Sequence, residues 1–161
     1  MAGMLADGVF QIGFVVPDIH RAMTFFKDKL GVPEFLFIEQ PELQDETYLG
    51  KAAPLHVQLA FGWCSDTQVE LIRPVSGVST YSKFLDRNAN GGMHHYGIEV
   101  ANYAQAVKDM EDRGYSLVQS GRHNETQFGY FDTTSEIGAL TELVYLQPEE
   151  RAFMWGLKRK T

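Results

Sequence analysis

The chain repeats itself, and this constrains its fold more than any other feature. Gln11-Ile-Gly-Phe-Val-Val-Pro-Asp18 runs alongside His95-Tyr-Gly-Ile-Glu-Val-Ala-Asn102, so that Gly13 matches Gly97, Val16 matches Val100 and Asp18 matches Asn102. Self-similarity of this kind means that one supersecondary unit is used twice. Each stretch leads into an amphipathic helix. Ile19, Ala22, Met23, Phe26 and Leu30 form an apolar stripe at helical spacing, with Asp18 as N-cap and Gly31 as stop. Tyr103, Ala106, Val107 and Met110 repeat the stripe between Asn102 and Gly114. Three strand-like runs follow each helix, over 34–40, 55–63 and 67–73 in the first half and 115–119, 127–132 and 139–146 in the second. The expected fold is therefore α+β: two βαβββ modules, about 9–74 and 93–146, in a single domain spanning 1–161. A linker with a short helix over 80–87 joins them. The acidic, proline-containing segment 40–54 reads as a surface loop. The tail from Pro148 carries Phe153, Met154 and Trp155 ahead of basic residues, and reads as a terminal helix on the domain or on a partner subunit.

Side chains alternate across a strand, so parity assigns each residue a face. In the first strand Phe10, Ile12, Phe14 and Val16 face the helix, leaving Gln11, Gly13 and Val15 on the concave side. In the matching strand Tyr96, Ile98 and Val100 face the helix, and His95, Gly97 and Glu99 lie opposite. Gln11 and His95 thus hold equivalent positions. Glu70 and Glu142 do the same, each interrupting an otherwise apolar closing strand. A buried carboxylate is costly unless a cation, a metal or a raised pKa neutralises it. Two of them at equivalent places suggest one shared cause, a divalent metal held by Gln11, Glu70, His95 and Glu142.

One imidazole with three oxygen donors suits Zn, Co, Ni, Mn or Mg and does not choose among them. Such an ion would polarise the carbonyl of a small-molecule substrate. Glu70 and Glu142, flanking it, are the candidate catalytic residues for proton transfer. Gly13 and Gly97 either leave room for substrate or serve sheet curvature and close packing. His94 has helix-face parity and reads as structural, while His20, His56 and His123 read as surface or loop residues. Glu99 lies about 13 Å along the strand from His95, too far to share an ion. Arg122 is a candidate for an anionic substrate tail, or a solvated loop charge.

A formal net charge of −7 argues against a general nucleic-acid binder, which needs a basic face. The single cysteine, Cys64, forms no intrachain disulfide and points to a reducing, cytoplasmic setting. No segment has the composition of a membrane span, and residues 1–8 lack the pattern of a signal peptide.

With ligands on the first and last strands of paired βαβββ modules, the stretch from about Phe10 to Leu146 resembles the vicinal oxygen chelate superfamily. That group includes glyoxalase I, methylmalonyl-CoA epimerases, extradiol dioxygenases and antibiotic-resistance proteins. The resemblance implies a curved, half-barrel mixed β-sheet with helices on its outer face, and a homodimer. Ser79-Thr-Tyr-Ser-Lys-Phe-Leu-Asp-Arg-Asn-Ala-Asn-Gly-Gly-Met-His-His-Tyr96 is similar to the linker helix and double-His strand of the epimerases. In that pattern the second His is a ligand and falls on His95, and the final-strand Glu falls on Glu142. Two positions depart from it. Epimerases carry His and Gln where this chain has Gln11 and Glu70, a set closer in type to some glyoxalase I enzymes. A bacterial-epimerase base carboxylate falls on Gln58, which cannot take a proton. The implied activity is metal-dependent isomerase or lyase chemistry next to a carbonyl, on an acyl-CoA or related 2-oxo or hydroxy-carbonyl substrate. Glyoxalase I and a non-catalytic binding protein of the resistance type are the alternatives.

Overall fold

The structure, a computed structural model, describes residues 8–158. Strand β1 (Val9–Val15) runs into helix α1 (Ile19–Leu30), where the Asp18 side chain accepts the Arg21 backbone N–H at 3.0 Å. Gly31 ends this helix at φ 74°, a left-handed conformation that glycine adopts without a side-chain penalty. β2 (Phe35–Ile38), β3 (Gln44–Tyr48), β4 (Lys51–Ala52), β5 (His56–Cys64) and β6 (Thr67–Ser76) complete the first half. Helix α2 (Thr80–Arg87) forms the linker, held at its start by a capping box between Ser79 and Ser82. The second half contains β7 (Gly92–Glu99), α3 (Tyr103–Asp112), β8 (Leu117–His123), β9 (Thr126–Phe131), the short α4 (Thr134–Ile137), β10 (Leu140–Tyr145) and α5 (Pro148–Lys158).

All ten strands belong to one curled mixed sheet in the order β2-β5-β6-β1-β7-β10-β9-β8-β3-β4. The two halves meet at its centre, where β1 and β7 pair antiparallel. Each of these opening strands then pairs parallel with its own closing strand, β1 with β6 and β7 with β10. The repeat seen in the sequence is thus a near-twofold relation about the β1–β7 seam. Its outer face is covered in the same way on both sides. Ile19 of α1 packs on Ala60, Val69 and Leu71 of the sheet, and Ala106 and Met110 of α3 pack on Ile98 and Leu143.

Two sequence expectations need correction, and one open alternative is decided. Segment 40–54 is not a plain loop: it forms the β3–β4 hairpin, and β3 pairs with β8 at the far edge of the second half. Alternation hid this because β3 reads Gln-Asp-Glu-Thr-Tyr, with its two first residues exposed. The hairpin covers a sheet edge that would otherwise present unpaired backbone groups. Phe10 does not face the helix. The β1–β7 register shifts between Val9 and Gln11, and this irregularity turns Phe10 inward with Gln11. The tail, for which two partners were open, packs on its own chain. Trp155 lies 5.6 Å from Phe10 and 5.2 Å from Trp63 between ring centres, and Trp63 donates its indole N–H to the Met154 carbonyl. Arg151 binds Glu99 at 2.6 Å, and Lys158 pairs with Asp66. Among the described residues no helix is long and apolar enough to cross a membrane.

Candidate metal centre

The seam between the halves carries two rows of side chains across four adjacent strands. One row is Glu70–Gly13–His95–Leu140, and the next is Gln68–Gln11–Gly97–Glu142. Near-twofold symmetry exchanges Gln11 with His95, Gly13 with Gly97 and Glu70 with Glu142, so all four expected ligands come together. His95 Nε2 stands at the middle, 3.0 Å from Gln11 Oε1 and 3.2 Å from both Glu70 Oε2 and Glu142 Oε2. All four residues are buried.

The glycines have a specific task in this arrangement, and it differs from leaving space for substrate. A Cβ built at Gly13 would overlap the His95 imidazole itself. One at Gly97 would lie 2.9 Å from Gln11 Oε1 and 3.1 Å from Glu142 Oε2. Each glycine therefore makes room for the other half's donor group to fold across the strand.

Electrostatics in the cluster are strained. Burial pulls the His95 imidazole down, but the Glu142 and Glu70 carboxylates outweigh it and push its pKa up to about 9. Burial raises the Glu70 carboxyl, with its His95 contact working against this and the Glu142 charge adding to it. One Nε2 proton can point at only one of the three surrounding oxygens. Glu70 Oε2 and Glu142 Oε2 accordingly remain buried without a well-directed hydrogen bond. A divalent cation meets that shortage, because it attracts every donor at once. The spacing fits as well: donors about 2.1 Å from an octahedral ion sit about 3 Å apart. Glu70, His95 and Glu142 together form a group that could hold a metal ion, and Gln11 adds a fourth donor.

This balance predicts a pH dependence. The folded-state pKa of His95 lies above its ordinary 6.5, so its protonation stabilises the metal-free fold fully below about pH 6.5. That contribution is lost as pH rises toward about 9. Glu70, raised in the fold, acts in the same direction at lower pH. Thermal melts with chelator should therefore show Tm falling between pH 6.5 and 9. Added divalent ion should abolish the fall and release a proton on binding. A flat profile with chelator would contradict the protonated His95.

The cluster sits in a cavity of about 420 Å³ enclosed by the curled sheet. Leu36, Ile38, Leu59, Phe61, Phe128 and Val144 give it apolar walls, and Phe153 and Met154 of α5 close one side. Tyr81 and Tyr130 hydrogen-bond each other at 2.7 Å, and Tyr130 lies edge-on to His95. Burial raises both hydroxyls well above the usual phenol range, which keeps them neutral.

Other candidates fall elsewhere. Gln58 lies on the outer face, bonded to Glu39 at 2.8 Å and to Arg73 at 3.2 Å, while Val57, Leu59 and Phe61 are the β5 residues in the cavity. β5 thus supplies no acid or base to the cavity. Arg122 is no anion receptor: Asp45 and Gln44 hold it at 2.6 Å each, tying the β3–β4 hairpin to β8. Glu99 is engaged by Arg151 outside the cluster. His123 lies partly exposed at the end of β8, where it lines the cavity and contacts Glu150 at 2.5 Å. Two buried glutamines escaped the sequence reading. Gln68 shares a strand face with Glu70 two residues on, so parity could have revealed it. Gln119 reaches the site only through other side chains, and no spacing marks it.

A sheet of this order, built from two related halves around one polar cluster, defines a class of protein. Over residues 10–131 the chain matches the Glyoxalase/Bleomycin resistance protein/Dioxygenase superfamily, and it belongs to that family. Its relatives narrow the comparison. It is 31% identical over 103 residues to the mitochondrial methylmalonyl-CoA epimerase of Mus musculus, covering 64% of this chain and 51% of that protein. It is 28% identical over 111 residues to the ethylmalonyl-CoA/methylmalonyl-CoA epimerase of Cereibacter sphaeroides, covering 69% of this chain and 74% of that one. The chain spans about half the length of the mammalian relatives it matches. Among solved structures, methylmalonyl-CoA epimerase from Mycobacterium tuberculosis shares its fold with a TM-score of 0.65 at 22% identity, covering 90% of this chain and 91% of the other. A methylmalonyl-CoA epimerase in complex with methylmalonyl-CoA and NH4+ gives 0.66 at 21% identity, covering 88% and 96%.

Proposed function

We propose that this chain is a metal-dependent isomerase that moves a proton on the carbon beside a substrate carbonyl, with an acyl-CoA thioester as substrate class. The observation that carries this reading is the convergence of three oxygens, two of them carboxylates from opposite halves, on His95 Nε2 at the floor of an apolar cavity. The epimerase relatives support the substrate class. Gln11, Glu70, His95 and Glu142 hold the divalent ion. When bound, it supplies Lewis acidity, polarising the carbonyl and acidifying the adjacent C–H. Glu70, whose carboxyl burial raises, is the candidate base for the α-proton. Glu142 faces the same point from the other half and can return a proton to the opposite face. The Leu59, Phe61 and Val144 walls exclude water from the reacting carbon and accept its alkyl substituent. A homodimer is part of this reading, and sedimentation tests it.

The direct experiment is solvent exchange. Protein loaded in turn with Zn, Co, Ni, Mn or Mg is mixed with methylmalonyl-CoA or ethylmalonyl-CoA in deuterated water, and α-deuterium is counted by mass. Metal-dependent incorporation above the chelated control is the expected result. The Glu70 carboxylate, and the lack of any acid on the cavity face of β5, favour one second reading, a glyoxalase-type lyase. Isomerisation of the glutathione–methylglyoxal hemithioacetal without thioester exchange would select it. Inertness toward both substrate types would overturn both.

A further inference from the structure

We propose that Gln68, and separately the Thr80–His94 pair, are positioning residues that dictate which atoms of Gln11 and His95 face the metal. This rests on the metal reading of the quartet. Both chains of hydrogen bonds have only one consistent direction.

The His95 chain begins at Gln119. Its Oε1 accepts the Thr80 backbone N–H at 2.7 Å, which settles the orientation of the amide because a backbone nitrogen can only donate. The same oxygen accepts the Thr80 hydroxyl proton at 2.9 Å. With its proton committed, Thr80 Oγ1 can only accept from His94 Nε2, 3.1 Å away. His94 is buried against the rings of Tyr81, Phe84 and Tyr130 and has no acidic partner among the described residues, so it sits there as the neutral ring. A neutral ring protonated at Nε2 has a lone pair at Nδ1. That lone pair lies 2.9 Å from His95 Nδ1, which must therefore carry the hydrogen. His95 is left to present Nε2 to the three oxygens. Helix α2 and strand β7 thus fix the tautomer of the central ligand from behind.

The Gln11 chain begins at α5. Met154 Sδ has no proton and accepts Gln68 Nε2 at 3.7 Å. Gln68 Oε1 then faces Gln11 and receives its Nε2–H at 2.8 Å. Gln11 must turn its carbonyl oxygen, the atom able to ligate, toward His95. Gln68 and Gln119 are 2% and 1% exposed, so water does not compete for these bonds. Near-twofold symmetry sets Gln68 opposite Leu140, which has no amide to orient anything. The device is therefore peculiar to the Gln11 half.

Partners of this kind typically account for 10- to 100-fold in metal affinity. Zinc and cobalt titrations of the full chain test it. Thr80→Val, His94→Phe and Gln68→Leu should each weaken binding by about that factor, while Thr80→Ser, which keeps the hydroxyl, should bind as wild type. A readout on the unaltered protein stands beside these variants. Long-range 1H–15N spectra of the zinc-loaded chain should show His94 protonated at Nε2 and His95 at Nδ1. In the cobalt form the His95 Nδ1–H should appear as a shifted, exchangeable resonance that weakens in Thr80→Val. The opposite tautomer at either histidine overturns the proposal, as do variants that bind within twofold of wild type. A wild-type chain that takes up neither metal would instead remove the metal reading itself, and the proposal with it.

Discussion

A single added methyl group at position 13 is expected to destroy metal binding, whereas the same change at the symmetry-related position 97 should only weaken it. In Gly13→Ala the new Cβ falls on the imidazole of His95. That ring is fully buried, packed edge-on against Tyr130 and held at Nδ1 by His94, so it has nowhere to move. Close packing makes such overlap expensive, about 1–3 kcal/mol or more for an inserted methyl. The cost should appear as a Tm lowered by roughly 3–10 °C in a chain of this size. Metal affinity should fall beyond measurement, because the central nitrogen is the atom displaced. At Gly97 the nearest atoms are Gln11 Oε1 at 2.9 Å, with Gln11 Cβ and Glu142 Oε2 at 3.1 Å. The two oxygens can swing aside and the Cβ contact needs a shift of only a few tenths of an ångström, so Gly97→Ala should keep its fold and bind metal more weakly. Isothermal titration with zinc and thermal melts measure both effects. Equal behaviour of the two variants would show that the glycines do not serve the donor groups.

The same asymmetry explains what was legible in the sequence. Parity placed Gln11, Glu70, His95 and Glu142 together because all four lie on central strands, and from Gln11 to Gly13, opposite Gly97 to His95, the period of two holds. The helices under Ile19 and Ala106 were legible for the analogous reason, since their stripes face a core. Phe10 was misassigned because one register irregularity at Val9–Gln11 inverts the alternation, and nothing local in Val-Phe-Gln announces it. The β3–β4 hairpin stayed hidden because its partner β8 is more than sixty residues away, and its polar side chains look like a loop. Gln58 was misread through a family correspondence that strand parity could have challenged, given that Val57, Leu59 and Phe61 face inward. The relay through Gln119, Thr80 and His94 joins three separate elements, so no spacing in the sequence records it. What periodicity captures is the first layer around the cluster, and what it misses is the layer that orients it.

Removing one carboxylate charge at a time should separate holding the metal from moving the proton. Both carboxylates lie 3.2 Å from the same nitrogen, yet their surroundings differ. Glu70 is raised by burial and is bordered by Gly13 across the β1–β6 ladder. Both carboxylates raise His95, and Glu142 also acts on Tyr103. Either Glu142→Gln or Glu70→Gln should therefore lower the His95 pKa and weaken metal binding. Glu70→Gln keeps an oxygen donor and the size of the side chain but cannot accept a proton. It should retain metal, losing roughly tenfold in affinity, while α-proton exchange falls by about 10²–10⁴ as expected for loss of a general base. Exchange measured at saturating metal, so that every molecule is loaded, isolates the second effect from the first. If Glu70→Gln exchanges normally once loaded, the base lies elsewhere, and among the described residues Glu142 is the other carboxylate at the metal cluster. If both single variants stay active and only the double variant is dead, either carboxylate can serve, which the near-twofold placement of the pair across the β1–β7 seam would permit.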